Sequence, residues 1–204
     1  MTVRSRTRDA LIETAGTLFW RQGYGATSLT EILSQAGVTG GSLYYFFRRK
    51  EDLLLAILDR RLEDLDLQIF VPVEAAEADP IERVFGVLGF YRAFLESTQC
   101  EMGCPIGNLA LELADLHPEV RQKLAQVFDA WCSRVRKYLE DARSQLPHDV
   151  DLEGLAQFVL TVMEGGLMQA RTARRLEPFD AGVTNLRRYF DALQVSVRSE
   201  DRRS

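Results

Sequence analysis

Cys104 stands directly before Pro105 in CEMGCPIGNLALELAD, residues 100–115. Proline suits the first position of a helix, which places the cysteine at the N-cap. Unpaired amides and a partial positive charge collect at such a terminus, so a cysteine there gains thiolate character and can react with electrophiles or oxidants. Cys100, four residues earlier, could resolve an oxidised Cys104 as a disulfide. A small buried residue packing a helix start looks the same in sequence, so both readings stand. Cysteine catalysis would need a base beside the thiol. The two histidines, His117 in Leu-His-Pro and His148 in Pro-His-Asp, sit in ordinary turn settings. No phosphate-binding glycine loop and no paired metal-ligand spacing accompanies them. A cysteine-dependent enzyme is thus the weaker alternative, and neither metal nor cofactor is expected.

A reversible ligand is the competing chemistry for the same half of the chain. Phe85, Phe90, Tyr91, Phe94, Phe128, Trp131 and Met163 could line an apolar pocket, with Asn108, Tyr91, Glu164 and Arg171 as polar anchors. Most of these aromatics would serve equally well as bundle core.

A third chemistry is confined to residues 27–50, TSLTEILSQAGVTGGSLYYFFRRK. Ser28 and Glu31 have capping-box spacing, Leu29, Ile32 and Leu33 give one apolar face, and Gly37 suits a left-handed stop. Val38 then plugs the turn, and Thr39 can cap a second helix. This is a helix-turn-helix, whose second helix enters the major groove while side chains and amides at helix ends fix phosphates. Gly40 and Gly41 allow close approach to the groove. Thr39, Ser42 and Tyr44 are candidates for base edges or adjacent phosphates. Thr27, Ser28, Tyr45 and Lys50 are placed for phosphate, and Leu43, Phe46 and Phe47 for the core. With no Arg or Lys inside the second helix, bidentate guanine reading would fall to Arg4, Arg6 or Arg8.

Charge supports the division of labour. The chain of 204 residues carries −5 overall, yet residues 1–50 hold seven Arg/Lys and three Asp/Glu, a net +4 that leaves −9 for the rest. A basic front on an acidic body fits a DNA-reading head joined to a larger domain with another task. The first helix should span about Arg6–Gln22, closed by Gly23, and a fourth, linking helix Leu53–Phe70, ended by Pro72. Further amphipathic segments are expected at about 81–98, 105–115, 119–145, 152–174 and 179–198, with Pro147 and Pro178 among the breakers. No stretch sustains strand alternation, so the fold class is all-α: a three-helix head at 1–50 and a helical effector-binding and dimerisation domain at 51–204, residues 51–70 linking. The N-terminus alternates charged and apolar residues without a signal-peptide pattern, and three cysteines lack a scaffold spacing. A cytoplasmic protein with no membrane segment is expected.

At ALIETAGTLFWRQGYGATSLTEILSQAGVTGGSLYYFFRRKEDLL the chain resembles the N-terminal pattern of the TetR/AcrR transcriptional repressors. The resemblance implies an all-helical two-fold dimer with a variable ligand-binding body, reading a pseudo-palindromic operator. Gly40 departs from the family, where a basic or larger residue is common. GCPIGNLALELAD and LMQARTARRLEPFDAGV are similar to the branch that includes electrophile-sensing and acrylate-responsive repressors. That similarity implies a pairing in space of Cys104 with a basic residue at Arg171, where the branch usually has lysine. An electrophile or oxidant acting on Cys104 is therefore the leading expected trigger, and a small carboxylate or apolar ligand near Arg171 the second. Dimerisation is expected through Leu155, Phe158, Val159, Val162, Met163 and Gly165-Gly166, with Leu186, Tyr189, Phe190 and Leu193 of the last helix.

Overall fold

A computed structural model describes residues 3–115 and 117–201, and among them every regular element is helical. The chain forms α1 (Val3–Gln22), α2 (Leu29–Ala36), α3 (Gly40–Phe46) and α4 (Lys50–Leu65). A π-helical turn, Asp66–Phe70, precedes α5 (Val71–Ala76) and α6 (Pro80–Ser97). Then come α7 (Pro105–Leu113), α8 (Pro118–Asp141), α9 (Leu152–Ala173) and α10 (Glu177–Asp201). The segment boundaries expected from periodicity fall within a few residues of these, because each apolar stripe ends where a cap or a proline begins.

Three expectations need correction. α1 starts at Val3 instead of Arg6. The fourth helix stops at Leu65, and Pro72 does not end it but sits in the first turn of α5, where a missing amide proton costs nothing. Pro178 likewise lies inside the first turn of α10.

The chain divides into two compact units, residues up to Asp64 with Pro105–Phe128, and Leu65–Cys104 with Asp129–Ser204. In the first, Leu11, Ala15, Leu18 and Phe19 of α1 close over Ile32, Leu43, Phe47 and the buried face Leu53, Leu54, Ile57 and Leu58 of α4. A β-carbon at Gly16 would make an ordinary contact of 3.5 Å with Ile57 of α4. Residue 50 is therefore not an edge of this unit, since α4 supplies a full face of its core. In the second unit Phe70, Val84, Leu88, Tyr138, Val159, Met163, Phe179 and Phe190 form the core. α9 and α10 pack closely at Gly166, where a β-carbon would stand 2.8 Å from the Phe179 ring and 3.3 Å from its Cα. Arg92 bridges to Asp180 at 2.8 Å and Arg187 to Glu82 at 2.5 Å, tying α6 to α10.

Candidate nucleic-acid interface and effector site

The helix-turn-helix is built as its residue types dictate. Ser28 caps α2 by accepting the Glu31 amide at 3.1 Å, and Gly37 ends it in the left-handed region at φ 66°. Only half of the capping box forms, since the Glu31 carboxylate accepts from Gln22 Nε2 at 2.9 Å instead. Thr39 precedes α3 in extended conformation but makes no side-chain cap; its hydroxyl meets Ser42 Oγ at 3.2 Å.

α3 turns Leu43 and Phe47 inward and leaves Tyr44 and Tyr45 61% and 65% exposed. Two large aromatics held in water on a seven-residue helix make a surface shaped for a partner. Phe46, expected in the core, is half-buried. With Arg4, Thr7, Thr39, Gly41, Ser42 and Tyr45 it lines an open groove of about 390 Å³. The Arg4 guanidinium lies 5.5 Å from the Tyr45 ring centre. Arg8 instead stacks 5.5 Å from Phe47 and faces Asp59, Arg60, Glu63 and Asp64, so of Arg4 and Arg8 it is Arg4 that lines the groove beside α3, while Arg6 is exposed. Arg48, just beyond α3, is exposed; sequence reasoning passed over it, although a basic residue next to the second helix was a usable signal.

Two expected phosphate contacts have other employment. Thr27 is 2% exposed, and its hydroxyl donates to Gly23 O at 2.7 Å, so it shapes the turn before α2. The Lys50 ammonium donates to Tyr24 O and sits 4.1 Å from the Tyr24 ring centre. Burial holds its pKa below the usual lysine range, with Glu112 opposing. Glu112 of α7 closes this corner: its carboxylate accepts the amides of Tyr24 at 2.9 Å and Gly25 at 2.6 Å. His117 Nδ1 lies 3.5 Å from Glu51, and its ring meets that of Tyr24 with centres 5.9 Å apart.

A β-carbon on Gly41 would meet nothing within 4 Å, and on Gly40 it would make an ordinary contact of 3.9 Å with Leu33. Gly41→Ala should therefore raise stability by about 0.5–1 kcal/mol, since alanine is the better helix former. The added methyl projects from the reading face and should weaken DNA binding. Urea unfolding read beside DNA titration checks both signs; weaker binding with no gain in stability would show that the glycine serves the fold.

In the second unit Tyr91 of α6, Cys104, Trp131 of α8 and Glu164 of α9 converge. Tyr91 is desolvated, its hydroxyl pKa driven far up by burial first and by Cys104 and Glu164, against a contact from Trp131 that lowers it. The Cys104 thiol hydrogen-bonds to the Glu164 carboxyl, which burial pushes up and this bond lowers. Trp131 Nε1 and Glu164 Oε1 are buried without a geometrically formed hydrogen bond. Met163 and Trp131 belong to the core, and Phe94 is half-buried. Asn108 is part of the first unit, where its buried Nδ2 makes no hydrogen bond.

The α9 residue that meets Cys104 is Glu164. Arg171 stands two turns further on, about 10 Å along the axis, so the charge beside the thiol is acidic. Arg174 turns instead to the carbonyl of Cys100, at 3.1 Å. Burial raises the thiol pKa of Cys100, and that of Cys132 to about 11.

A capped α2, a left-handed turn and an α3 that shows its aromatic face to solvent define a helix-turn-helix regulator of transcription. The chain belongs to the TetR family: residues 11–57 match the model of bacterial regulatory proteins of the tetR family, and residues 80–186 the tetracyclin repressor-like C-terminal domain. The HTH-type transcriptional repressor DhaR of Mycobacterium sp. (strain GP1) is 27% identical over 96% of both chains. A TetR transcriptional regulator from Chloroflexus aurantiacus superposes with a TM-score of 0.83 at 28% identity, covering 94% of this chain and 97% of that one. NemR of E. coli in its reduced form shares the fold, with a TM-score of 0.78 at 24% identity over 88% and 95% of the two chains. The protein is a transcriptional regulator and not an enzyme; regulators of this family bind DNA operators and act as dimers with small-molecule effectors. No described helix is long and apolar enough to cross a membrane.

Proposed function

We propose that the protein is a homodimeric repressor that holds a pseudo-palindromic operator through α3 and releases it when a small molecule occupies the second unit. The observation that carries this reading is the outward face of α3, where Tyr44 and Tyr45 are exposed and Tyr45 lines a groove with Thr39, Gly41, Ser42 and Arg4. Thr39, Ser42, Tyr44 and Arg4 read base edges or adjacent phosphates, while Ser28, Tyr45 and Arg48 hold phosphate. α7 supplies the coupling. It begins at the residue after Cys104, and near its other end Glu112 fixes the Tyr24–Gly25 turn. A shift at its start would disturb the turn that orients α2. That the relative DhaR is named a repressor supports repression over activation.

Fluorescence anisotropy on a duplex from the gene's own upstream region tests the reading. Six to ten phosphate contacts across a dimer would weaken binding about 10³–10⁵-fold between 50 and 200 mM salt, and Arg48→Ala should flatten that slope. A salt-insensitive Kd would remove the phosphate assignments.

For the trigger, the geometry favours a reversible ligand over the covalent one expected from sequence. Cys104 is 8% exposed, and its thiol is held in a hydrogen bond with the Glu164 carboxyl, out of easy reach of an electrophile. N-ethylmaleimide is thus expected to leave both wild type and Cys104→Ser on DNA. Release of the wild type alone would restore the cysteine as sensor.

A further inference from the structure

We infer that the effector is a small organic cation, whose basic nitrogen pairs with Glu164 beside Tyr91 and Trp131. The inference rests on the proposal that the second unit takes an effector, and it names the chemical class. A buried carboxylate ordinarily finds a cation or several donors, because an uncompensated charge in an apolar interior is costly. Glu164 has neither: its Oε1 is buried with no donor, and the one group described as hydrogen-bonding its carboxyl is the Cys104 thiol.

Several basic side chains of this unit are occupied elsewhere. Arg92 holds Asp180 and Glu96, Arg134 holds Asp66 and Glu74, Arg187 holds Glu82, and Arg174 donates to a carbonyl. Among the described contacts no Lys or Arg reaches Glu164, and Arg171 stands two turns along the same helix. A donor from outside the chain would complete the carboxyl's hydrogen bonding.

The surroundings select its kind. Trp131 is 3% exposed, and its Nε1 also lacks a well-formed bond, so an acceptor or an aromatic-bearing ligand is welcome there. Phe70 stands edge-on to Trp131 at 6.3 Å and Phe90 to Tyr91 at 5.4 Å, which makes the polar spot a small island among rings. Aromatic rings with one carboxylate suit an organic ammonium through charge pairing and ring electrostatics together. An anionic effector would meet the Glu164 charge and the Tyr91 oxygen with no cation to offset them.

Three probes of one shape separate the possibilities: benzylamine, benzyl alcohol and benzoate, titrated into the full-length protein by calorimetry and then into the protein–DNA complex. Benzylamine should bind at least about tenfold tighter than either of the others, and Glu164→Gln should remove about that factor for the amine while leaving benzyl alcohol unchanged. Far-ultraviolet circular dichroism of Glu164→Gln matching that of wild type certifies the fold of the variant. Benzoate or benzyl alcohol binding as tightly as the amine would overturn the inference. So would an amine affinity indifferent to Glu164→Gln, or no amine binding at about 10 mM. If the amine binds through Glu164 but leaves operator affinity untouched, the cation site stands and the proposed effector coupling falls.

Discussion

Phe158→Glu should convert the protein to a monomer and weaken operator binding by roughly 10²–10⁴-fold, the avidity that two linked reading heads confer over one. Of the residues expected at a dimer interface, Leu155, Val159, Met163, Leu186 and Phe190 are buried within the chain itself. Of the expected interface residues, Phe158 at 44% exposure and Tyr189 at 45% stay outward, packed edge to face with ring centres 5.8 Å apart, and Met168 and Val195 are also exposed on the same two helices. Gly165, two turns along α9 from Phe158, has open space around it, unlike Gly166, which is closed by Phe179 of the same chain. An exposed aromatic pair and a bare stretch of backbone on the same helix suit a second copy of the same helices. A glutamate at position 158 would be buried unpaired at that contact, yet it costs the isolated subunit little because the side chain already faces solvent. Sedimentation and operator titration decide the matter. A variant that stays dimeric with full affinity would move the interface to another face.

Leu43→Ala should cost the first unit about 2–5 kcal/mol and abolish DNA recognition with it. α3 has seven residues and opens with two glycines, so it has almost no helical stability of its own. Its place depends on Leu43, fully buried against α1 and α2, and on Phe47 just past its end. Removing three carbons there leaves a cavity under the reading helix, whose exposed Tyr44 and Tyr45 cannot compensate. Urea unfolding gives the loss directly. Full operator affinity with a loss below about 1 kcal/mol would mean that DNA itself, and not Leu43, holds the helix in place.

Much of the architecture was legible in the sequence because it is written in local chemistry. Ser28 and Gly37 mark the ends of α2, and apolar residues at helical spacing mark α1 and α6 to α10 within a few residues. Two of the misreadings have a common origin, since proline stops a helix only past its first turn, and both Pro72 and Pro178 fall inside that turn. Side-chain destinations were harder to foresee. Lys50 looks like a phosphate ligand until the carbonyl of Tyr24 and two rings take up its ammonium, a match between positions 26 residues apart. Thr27 has the right chemistry for phosphate, but its hydroxyl is spent on Gly23. At the proposed effector site Tyr91, Cys104, Trp131 and Glu164 were each visible as candidates. The alignment of Glu164, instead of Arg171, with Cys104 depends on where α9 sits along its own axis, which no periodicity records.

The carboxylate of Glu112 on the amides of Tyr24 and Gly25 bears on how this protein can be cut and recombined. The reading head is not a contiguous stretch of chain: residues up to 64 are completed by 105–128, which supply Glu112, His117 against Glu51, and Lys123 at 2.8 Å from Asp59. A chimera joined at residue 50 or 64 would carry the helix-turn-helix and leave behind the side chains that hold its first corner. Transplanting this specificity onto another sensor therefore calls for two exchanged segments, and modularity here is a property of the folded surface instead of the linear gene.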